Sequence, residues 1–498
     1  MDFLLTAGAT LFAPFPMLMM FLGVFLGIVV GAIPGLSATM LIALALPMTY
    51  LMKDTDAMTL LVSMYVGGIS GGLISAILIN MPGTPSSIFT TLDGFPMARQ
   101  GKAARALALG VLSSLVGGVI SFVLLLAVAP PLASIALRFG PWEFFAMVMM
   151  ALVLISSLGG RSFSKGIMAG FLGMLFSLPG IDPTSGNIRF TFGISDLSAG
   201  LSLLPVLVGT FALSQVIMAA GGGIETMESK RVGLRELTGQ LRGFAGHKWN
   251  MLRSSLLGTW IGLLPGIGGN IAAMVAYSAT RSLSKTPERF GQGAEEGLVS
   301  TECANNASIG GSLIPLISLG IPGSTVDAIL IGALLIHNVQ LGPLLIVNNP
   351  EIVFSIVMTY GIANFVMFAM MIGFIPYLAR LVEIPRALIL SAVSVFCVIG
   401  TYAANNRILD VWVLLFFGVL GAVLMRLKLP LGPFVIGFVL APIAEAEMRA
   451  GIMLSNGEIP SPADYPIAAA MLAVAVLVAV LPVIMRLRNT ALLKRQEQ

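Results

Sequence analysis

Proline-glycine pairs interrupt apolar stretches of the chain four times, at Pro34-Gly35, Pro82-Gly83, Pro265-Gly266 and Pro322-Gly323. Proline removes a backbone donor and glycine tolerates backbone angles that other residues avoid, so each pair predicts a local break in a helix. Freed amides at a helix N-terminus suit a carboxylate, whereas freed carbonyls with hydroxyl and amide oxygens suit a small cation. The pattern therefore predicts reversible binding of a small ion.

The candidate substrate-binding residues belong to these breaks or are small polar residues close to them. They are Pro34, Gly35, Ser37, Thr39, Asn80, Pro82, Gly83, Thr84, Ser86, Ser87, Gly266, Gly268, Gly269, Asn270, Pro322, Gly323, Ser324 and Thr325. A single Pro-Gly pair in a membrane helix is more often a kink or a packing feature, but two matching sets of pairs favour a binding site. The first break of each matching set, Pro34-Gly35 or Pro265-Gly266, has no Lys or Arg beside it. Backbone amides and hydroxyls would therefore hold an anion there.

A coupling cation would need oxygen ligands, and a second set of residues provides candidates for it. They are Ser37, Thr39, Asn270, Asn305, Asn306, Ser308 and Asp327. Asn305 and Asn306 could equally bridge helices, since interhelical amides contribute about 1 kcal/mol. Asp327 is an ionisable residue in an apolar segment, which by default suggests function. Asp93 and Glu302 lie near predicted helix ends, where water would solvate them.

The composition predicts a membrane protein. Of 498 residues, 57% are hydrophobic and only 10% are charged, with a mean hydropathy of +0.97. A soluble domain of this size needs more charge to keep its surface wet. One span takes roughly 20 apolar residues, which predicts about ten to twelve membrane segments. Continuous apolar runs argue against a β-barrel, so the predicted fold is an all-α, polytopic helical membrane protein.

Basic loops predict orientation, because Lys and Arg concentrate in cytoplasmic loops. Residues 221–253 form a predicted cytoplasmic basic linker, and 486–498 form a cytoplasmic tail. The basic turn at 99–105 corresponds to an uncharged segment in the second half, and the basic loop at 281–289 corresponds to 53–56, which has no basic excess. This reversal predicts two repeats of inverted topology, residues 1–220 and 254–485.

The two copies align with two offsets. Pro34 corresponds to Pro265 at a shift of 231, and Pro82 corresponds to Pro322 at a shift of 240, so nine extra residues fall in the charged loop at 281–300. Each break could be a re-entrant hairpin or a discontinuous spanning helix. Only 27 residues separate Arg253 from Arg281, both predicted to be cytoplasmic, which favours a hairpin at the third break.

Four sequence blocks resemble a known family. Gly-Ala-Ile-Pro-Gly-Leu (31–36), Asn-Met-Pro-Gly-Thr-Pro-Ser-Ser (80–87) with Asp-Gly-Phe-Pro-Met-Ala (93–98), Leu-Leu-Pro-Gly-Ile-Gly-Gly (263–269) and Leu-Gly-Ile-Pro-Gly-Ser (319–324) resemble the large membrane subunit of the bacterial tripartite tricarboxylate transporters, the TctA family. The likeness extends over about residues 15–485.

The resemblance implies a permease of the bacterial inner (cytoplasmic) membrane that imports citrate or another dicarboxylate or tricarboxylate. It implies coupling to Na⁺ or H⁺, no other cofactor, a periplasmic substrate-binding protein and a small membrane subunit. Inverted repeats with paired breaks suggest elevator-type alternating access. Nucleic acid is not a predicted partner.

Two other transport classes stay open, an ion channel and a stand-alone organic-anion transporter. A channel usually builds its pore from identical subunits, whereas an internal repeat supplies two opposed halves within one chain. An enzyme is not predicted, because the sequence has two histidines and no His-Glu-x-x-His motif, phosphate-binding glycine loop or Ser-His pairing. Two cysteines in apolar contexts do not indicate a disulfide framework.

Overall fold

The computed structural model describes residues 11–158, 162–182, 185–219, 233–240, 244–266, 268–381, 386–458 and 461–480. Most of the described residues are helical, and six of their helices are long and apolar enough to cross a membrane. The prediction of an all-α, polytopic membrane protein is confirmed. The tail at 486–498 and, in the linker, 221–232 and 241–243 lie outside the described residues.

Helices and a short pair of strands follow one another along the described residues. The helices are α1 (Pro14–Ala32), α2 (Ala38–Thr49), α3 (Asp54–Ile79), α4 (Ile88–Met97), α5 (Ala103–Ala136), α6 (Pro141–Leu158), α7 (Phe163–Phe176), α8 (Leu203–Val208), α9 (Ser214–Ala219), α10 (Leu234–Gly239), α11 (Lys248–Leu263), α12 (Gly268–Leu283), α13 (Glu295–Leu319), α14 (Thr325–Ile336), α15 (Leu344–Asn348), α16 (Pro350–Leu381), α17 (Arg386–Asn405), α18 (Ile408–Arg426), α19 (Leu431–Leu454) and α20 (Pro466–Val480). A 3₁₀ turn at Pro85–Ser87 precedes α4. Strands β1 (Gly180–Ile181) and β2 (Ile188–Arg189) form a short antiparallel pair.

The chain forms two compact units. The first comprises Met1–Ser134 and Leu204–Ala422, and the second comprises Ile135–Leu203 and Val423–Gln498. Every candidate binding residue lies in the first unit. These units are defined by contacts between helices and do not test where the repeats begin and end. The predicted repeat boundaries at residues 220 and 254 therefore stay a prediction.

Glycines let α1 approach α3 closely in the first unit. Gly23, Gly27 and Gly31 recur every fourth residue along one side of α1. A Cβ added to Gly27 would lie 2.6 Å from the backbone nitrogen of Gly68 and 2.6 Å from the carbonyl oxygen of Met64. Small residues allow such contact between helices in lipid, where burial of apolar surface gives little driving force.

The same packing recurs between α11 and α13. Gly258 lies against the backbone of Ala304, and Gly262 lies against the backbone of Ser308. Three glycine contacts of the first copy recur in the second at the shifts of 231 and 240. Gly27 lies against Met64 as Gly258 lies against Ala304, Gly31 lies against Gly68 as Gly262 lies against Ser308, and Gly71 lies against Ile28 as Gly311 lies against Thr259. Local packing therefore follows the internal alignment, while the inverted orientation stays a prediction.

The second unit is held at one end by a network of four charged side chains. Arg189 binds the carboxylate of Glu445 through two nitrogens at 2.6 and 2.7 Å. Arg449 bridges the same carboxylate at 2.6 Å and Asp182 at 2.9 Å. The two arginines share the same two carboxylates, so fewer side chains lose conformational freedom for each ion pair. The network therefore fixes the β1–β2 segment against α19.

Candidate functional site

All four breaks interrupt helices, and two of them end a helix in the same way. Helix α3 is followed by Asn80 with φ 59°, and α13 is followed by Gly320 with φ 72°, both left-handed. The next amide then reaches back to the helix in each copy, from Met81 to Ser75 at 3.4 Å and from Ile321 to Pro315 at 3.3 Å. This is a common way to satisfy the last carbonyls of a helix.

The second and third breaks meet beside α13. A Cβ added to Gly269 would lie 2.6 Å from Oδ1 of Asn305, 3.1 Å from Oγ of Ser308 and 3.3 Å from Cβ of Ser86. On the other side of the group, the Thr84 hydroxyl lies 3.0 Å from that of Ser86 and 2.8 Å from that of Ser87. We call the group Thr84, Ser86, Ser87, Gly269, Asn305 and Ser308 the Asn305 cluster.

Asn305 is the least satisfied member of this cluster. Its side chain is only 1% exposed, and within the described residues neither its amide nitrogen nor its oxygen has a hydrogen-bond partner. Leaving a buried amide unpaired costs about 1–3 kcal/mol. The first amides of α12 also lack partners inside their helix. The Asn305 cluster thus offers N–H and O–H donors and contains no carboxylate of its own, which suits an anion.

The fourth break forms a second group with a different charge. The Tyr65 hydroxyl on α3 lies 2.9 Å from the Ser324 hydroxyl and 3.4 Å from the Ser312 hydroxyl. Asp327 is fully buried in the first turn of α14, and its amide donates to Ser324 Oγ at 3.2 Å. We call Tyr65, Ser312, Ser324 and Asp327 the Asp327 cluster.

The carboxylate of Asp327 carries the negative charge of this cluster. The hydroxyls of Ser312 and Ser324 and the backbone amides of Gly323 and Ser324 flank it. Nevertheless, no donor in the described part of the chain reaches hydrogen-bond geometry with either of its oxygens. A carboxylate buried in this way needs a counter-charge or a proton.

The main chain connects the two clusters. The amide of Gly266 donates to the carbonyl of Gly323 at 2.8 Å, which joins the third break to the fourth. Gly266 lies shortly before α12, which carries Gly269, and Gly323 directly precedes Ser324. Glycine is required at residue 266, since its φ of 75° is left-handed.

Residues of the first break lie differently. Ser37 caps α2 by accepting a hydrogen bond from the Met40 amide at 3.1 Å, and the side-chain amide of Gln215 donates to the Ser37 hydroxyl at 3.2 Å. Thr39 and Thr325 are half-buried, and Asn270 is exposed, as is Asn80. None of these side chains contributes a described hydrogen bond to either cluster, so their part in binding stays a prediction.

Asn306 differs from its neighbour Asn305. Its side-chain oxygen accepts a hydrogen bond of 2.6 Å from Ser70 on α3, and its nitrogen donates to the Glu302 carbonyl at 3.2 Å. The bond from Ser70 joins α3 to α13, whereas the bond to Glu302 lies within α13. Both side-chain atoms therefore have partners, which matches the bridging alternative for this residue.

Glu302 is fully buried, so the expectation that water solvates it is wrong. Its two oxygens contact Thr90 on α4 and Ser114 on α5, the latter at 3.1 Å. Sequence position near a helix end did not reveal that α4 and α5 cover this part of α13.

Asp93 is also fully buried, and its expected solvation is likewise wrong. Its Oδ1 accepts three backbone hydrogen bonds, from Gly291, Gly293 and Ala294, at 2.8 to 2.9 Å. Three amides replace the water that a carboxylate normally binds. Asp93 thereby ties α4 to the loop before α13.

Sequence reasoning missed Tyr65 and Ser312 as possible site residues. A signal for Tyr65 was present, because it precedes Asn305 by 240 residues and so occupies the matching position of the first copy. Ser312 likewise matches Gly72, whose Cβ position faces Thr84 and Ser87. Applying the offset to the polar residues of α13 would have found Tyr65, whereas Ser312 matches a glycine and had no such signal.

The third break lies at the tip of a helical hairpin. The hydroxyl of Thr280 on α12 contacts Asn250 at 2.9 Å and Arg253 at 3.1 Å, both on α11, so the far ends of the two helices are adjacent. Each helix has 16 residues and is about 24 Å long, shorter than the bilayer core of about 30 Å. These dimensions are those expected of a re-entrant hairpin.

Comparison with known proteins gives a consistent result. Residues 17–436 match the family described as "Tripartite tricarboxylate transporter TctA family". The "Uncharacterized 52.8 kDa protein in TAR-I ttuC' 3'region" of Agrobacterium vitis is 35% identical over 486 residues, 96% of either chain. The "Uncharacterized protein in TAR-II ttuC' 3'region" of the same organism is 35% identical over 235 residues, 47% of this chain and 97% of that protein. No solved structure matches. The broken apolar helices and the family match together show that the chain belongs to the TctA family of tripartite tricarboxylate transporters.

Proposed function

We propose that the chain is the permease of a secondary active tripartite transporter and imports a small dicarboxylate or tricarboxylate bound at the Asn305 cluster. The observation that carries this assignment is the buried, unpartnered side-chain amide of Asn305, which lies beside Gly269 in the N-terminal turn of α12. A carboxylate there would accept from the Asn305 nitrogen and from the neighbouring hydroxyls.

The composition of the cluster suits release as well as binding. Hydroxyl and amide donors hold a carboxylate less strongly than Arg or Lys would, because they lack the Coulomb attraction of a full positive charge. A transporter must let its substrate go on the other side of the membrane. Neutral donors therefore support reversible binding of an anion.

Family membership supports the remaining parts of the proposal. The partners are a periplasmic binding protein that delivers the carboxylate and a small membrane subunit, and the location is the bacterial inner membrane. Na⁺ or H⁺ drives uptake. The re-entrant dimensions of α11 and α12 support an elevator-type movement of the breaks.

Uptake by membrane vesicles tests the proposal. Vesicles that contain this chain and the small subunit should accumulate a labelled tricarboxylate or dicarboxylate only when a cation gradient and the binding protein are both present. Uptake that needs neither would contradict the tripartite permease and favour a stand-alone transporter. Ion conductance independent of any carboxylate would favour a channel.

A binding measurement tests the site itself. A panel of dicarboxylates and tricarboxylates should raise the melting temperature of the purified full chain, and Asn305→Leu should remove that rise. If Asn305→Leu leaves carboxylate binding unchanged, the Asn305 cluster is not the substrate site.

A further inference from the structure

We propose that the Asp327 cluster is a binding site for a small monovalent metal cation, with Na⁺ as the probe, and that it is separate from the carboxylate site. The inference rests on the proposed function only in placing the carboxylate at the Asn305 cluster. It assigns the second and third breaks to an anion and the fourth break to a cation.

Charge distinguishes the two clusters. The Asn305 cluster contains hydroxyls and one amide, whereas the Asp327 cluster contains a carboxylate that is fully buried. Asp327 forms none of the ion pairs found among the described residues. An isolated ionised carboxylate is strongly disfavoured away from water. A bound cation supplies the missing charge.

The neighbours of Asp327 are suitable ligands for a hard cation. Hydroxyl oxygens of Tyr65 and Ser324 lie 2.9 Å apart, and Ser312 is 3.4 Å from the same Tyr65 oxygen. With the two carboxylate oxygens, they provide five oxygen atoms from three helices or their ends. Oxygen ligands are those that hard metal ions prefer.

A structural role as a helix cap accounts for only part of the surroundings of Asp327. It is the third residue of α14, where a carboxylate commonly returns a hydrogen bond to the capping residue's amide. Ser324 accepts from the Asp327 amide, and the amides of Ser324 and Gly323 in turn lie beside the carboxylate, but neither of them forms a hydrogen bond of full geometry with its oxygens. The partial positive charge of the helix N-terminus compensates a fraction of the carboxylate charge and leaves the rest for a cation.

The connection between the breaks gives the cation an effect on the substrate. A cation that draws Ser324 towards Asp327 also fixes the neighbouring Gly323 carbonyl, which accepts from Gly266. Gly266 in turn precedes the helix that carries Gly269 of the Asn305 cluster. Na⁺ should therefore raise the affinity for the carboxylate, and the carboxylate should raise that for Na⁺ by the same factor.

The test uses the purified full chain without carboxylate. Its melting temperature is measured during titration with NaCl, KCl or choline chloride at constant ionic strength and pH. The wild-type chain should be stabilised by Na⁺ in a saturable way, and Asp327→Asn should lose this effect. Glu302→Gln is the matched control, because Glu302 is equally buried but has hydroxyl partners at both oxygens, and it should keep the effect.

Two further variants keep the test decisive if Asp327→Asn does not fold. Tyr65→Phe and Ser312→Ala each remove one ligand oxygen and should raise the apparent Kd for Na⁺ several-fold. Absence of Na⁺-specific stabilisation in the wild-type chain would overturn the proposal, as would its survival in Asp327→Asn. Stabilisation by protons alone would assign Asp327 to proton binding and also reject the metal site.

The same preparation separates this inference from the proposed function. Carboxylate binding that is abolished by Asn305→Leu but is insensitive to Na⁺ would leave the permease assignment standing and reject the cation site. Na⁺ binding without any carboxylate binding would support the cation site and reject the carboxylate site at the Asn305 cluster.

Discussion

The amide of Gly266 donates a 2.8 Å hydrogen bond to the carbonyl oxygen of Gly323 and so joins two helix breaks that are 57 residues apart in sequence. One break contributes a helix to the cluster rich in donors, and the other precedes the buried carboxylate. The bond is thus a direct main-chain link between the breaks that carry the two clusters.

Weakening this link should reduce coupling between the ions. Gly266→Ala places a Cβ on a residue with φ 75°, which costs roughly 1–2 kcal/mol and shifts the amide. The ratio of carboxylate Kd values measured in K⁺ and in Na⁺ should fall towards one. Gly101→Ala is the matched control, with φ 82° and no atom within 4 Å of the added Cβ, and should keep the wild-type ratio. Equal effects of both variants would reject the link.

Asn305 and Asn306 should respond differently to the same substitution. Asn305→Leu removes donors that have no protein partner, so carboxylate affinity should fall by at least about tenfold and the carboxylate-induced rise in melting temperature should be lost. The melting temperature of the ligand-free chain should stay near that of the wild type. Asn306→Leu breaks its bonds to Ser70 and to the Glu302 carbonyl, so the melting temperature should fall. Isothermal titration and thermal unfolding of both variants check this. Lower carboxylate affinity in Asn306→Leu together with a lower melting temperature in Asn305→Leu would contradict the assignment.

This pair shows what the sequence could and could not predict. The helical fold, the breaks and the small polar residues beside them follow from local composition. Neighbouring residues on a helix point about 100° apart, so two adjacent asparagines face different surroundings. Only the packing of α3 against α13 shows that Asn306 faces Ser70, whereas Asn305 faces Gly269.

The sequence also did not predict which breaks meet, because such a meeting is a contact between segments that are distant in sequence. The second break meets the third, and the fourth lies beside Tyr65 of the first copy. Burial of Asp93 and Glu302 depends on the same kind of contact. Local sequence reports the ends of helices but not which other helix covers them.

Close packing of α1 on α3 should make Gly27 intolerant of a methyl group. In Gly27→Ala the new Cβ would overlap backbone atoms of Met64 and Gly68, and overpacking of this kind costs about 1–3 kcal/mol. Gly373→Ala is the control, since no atom lies within 4 Å of its Cβ position on α16. Thermal unfolding should show a lower melting temperature for Gly27→Ala alone. An unchanged value would mean that α1 does not rest on α3 this closely.

Acid should weaken a contact next to the predicted cytoplasmic loop. A hydrogen bond from His247, with the guanidinium of Arg105 as second donor, lowers the pKa of Glu295 from 4.5 to about 2. A depressed pKa stabilises the fold above pH 4.5, and this contribution is lost as the pH falls from there towards 2.

The melting-temperature difference between wild type and Glu295→Gln should therefore be constant at neutral pH and should shrink below pH 4.5. Glu288→Gln, on an exposed residue of the nearby loop, should show no such narrowing. A difference that persists at pH 2 would contradict the assigned ion pair.

The nine-residue excess of the second copy falls in the loop that supplies three amides to Asp93. The loop that is longer in the second predicted repeat thus binds α4 of the first predicted repeat, and the correspondence between the two copies does not extend to this contact. Separating the C-terminal part of α4 from the start of α13 would break all three hydrogen bonds and leave the buried carboxylate of Asp93 without them.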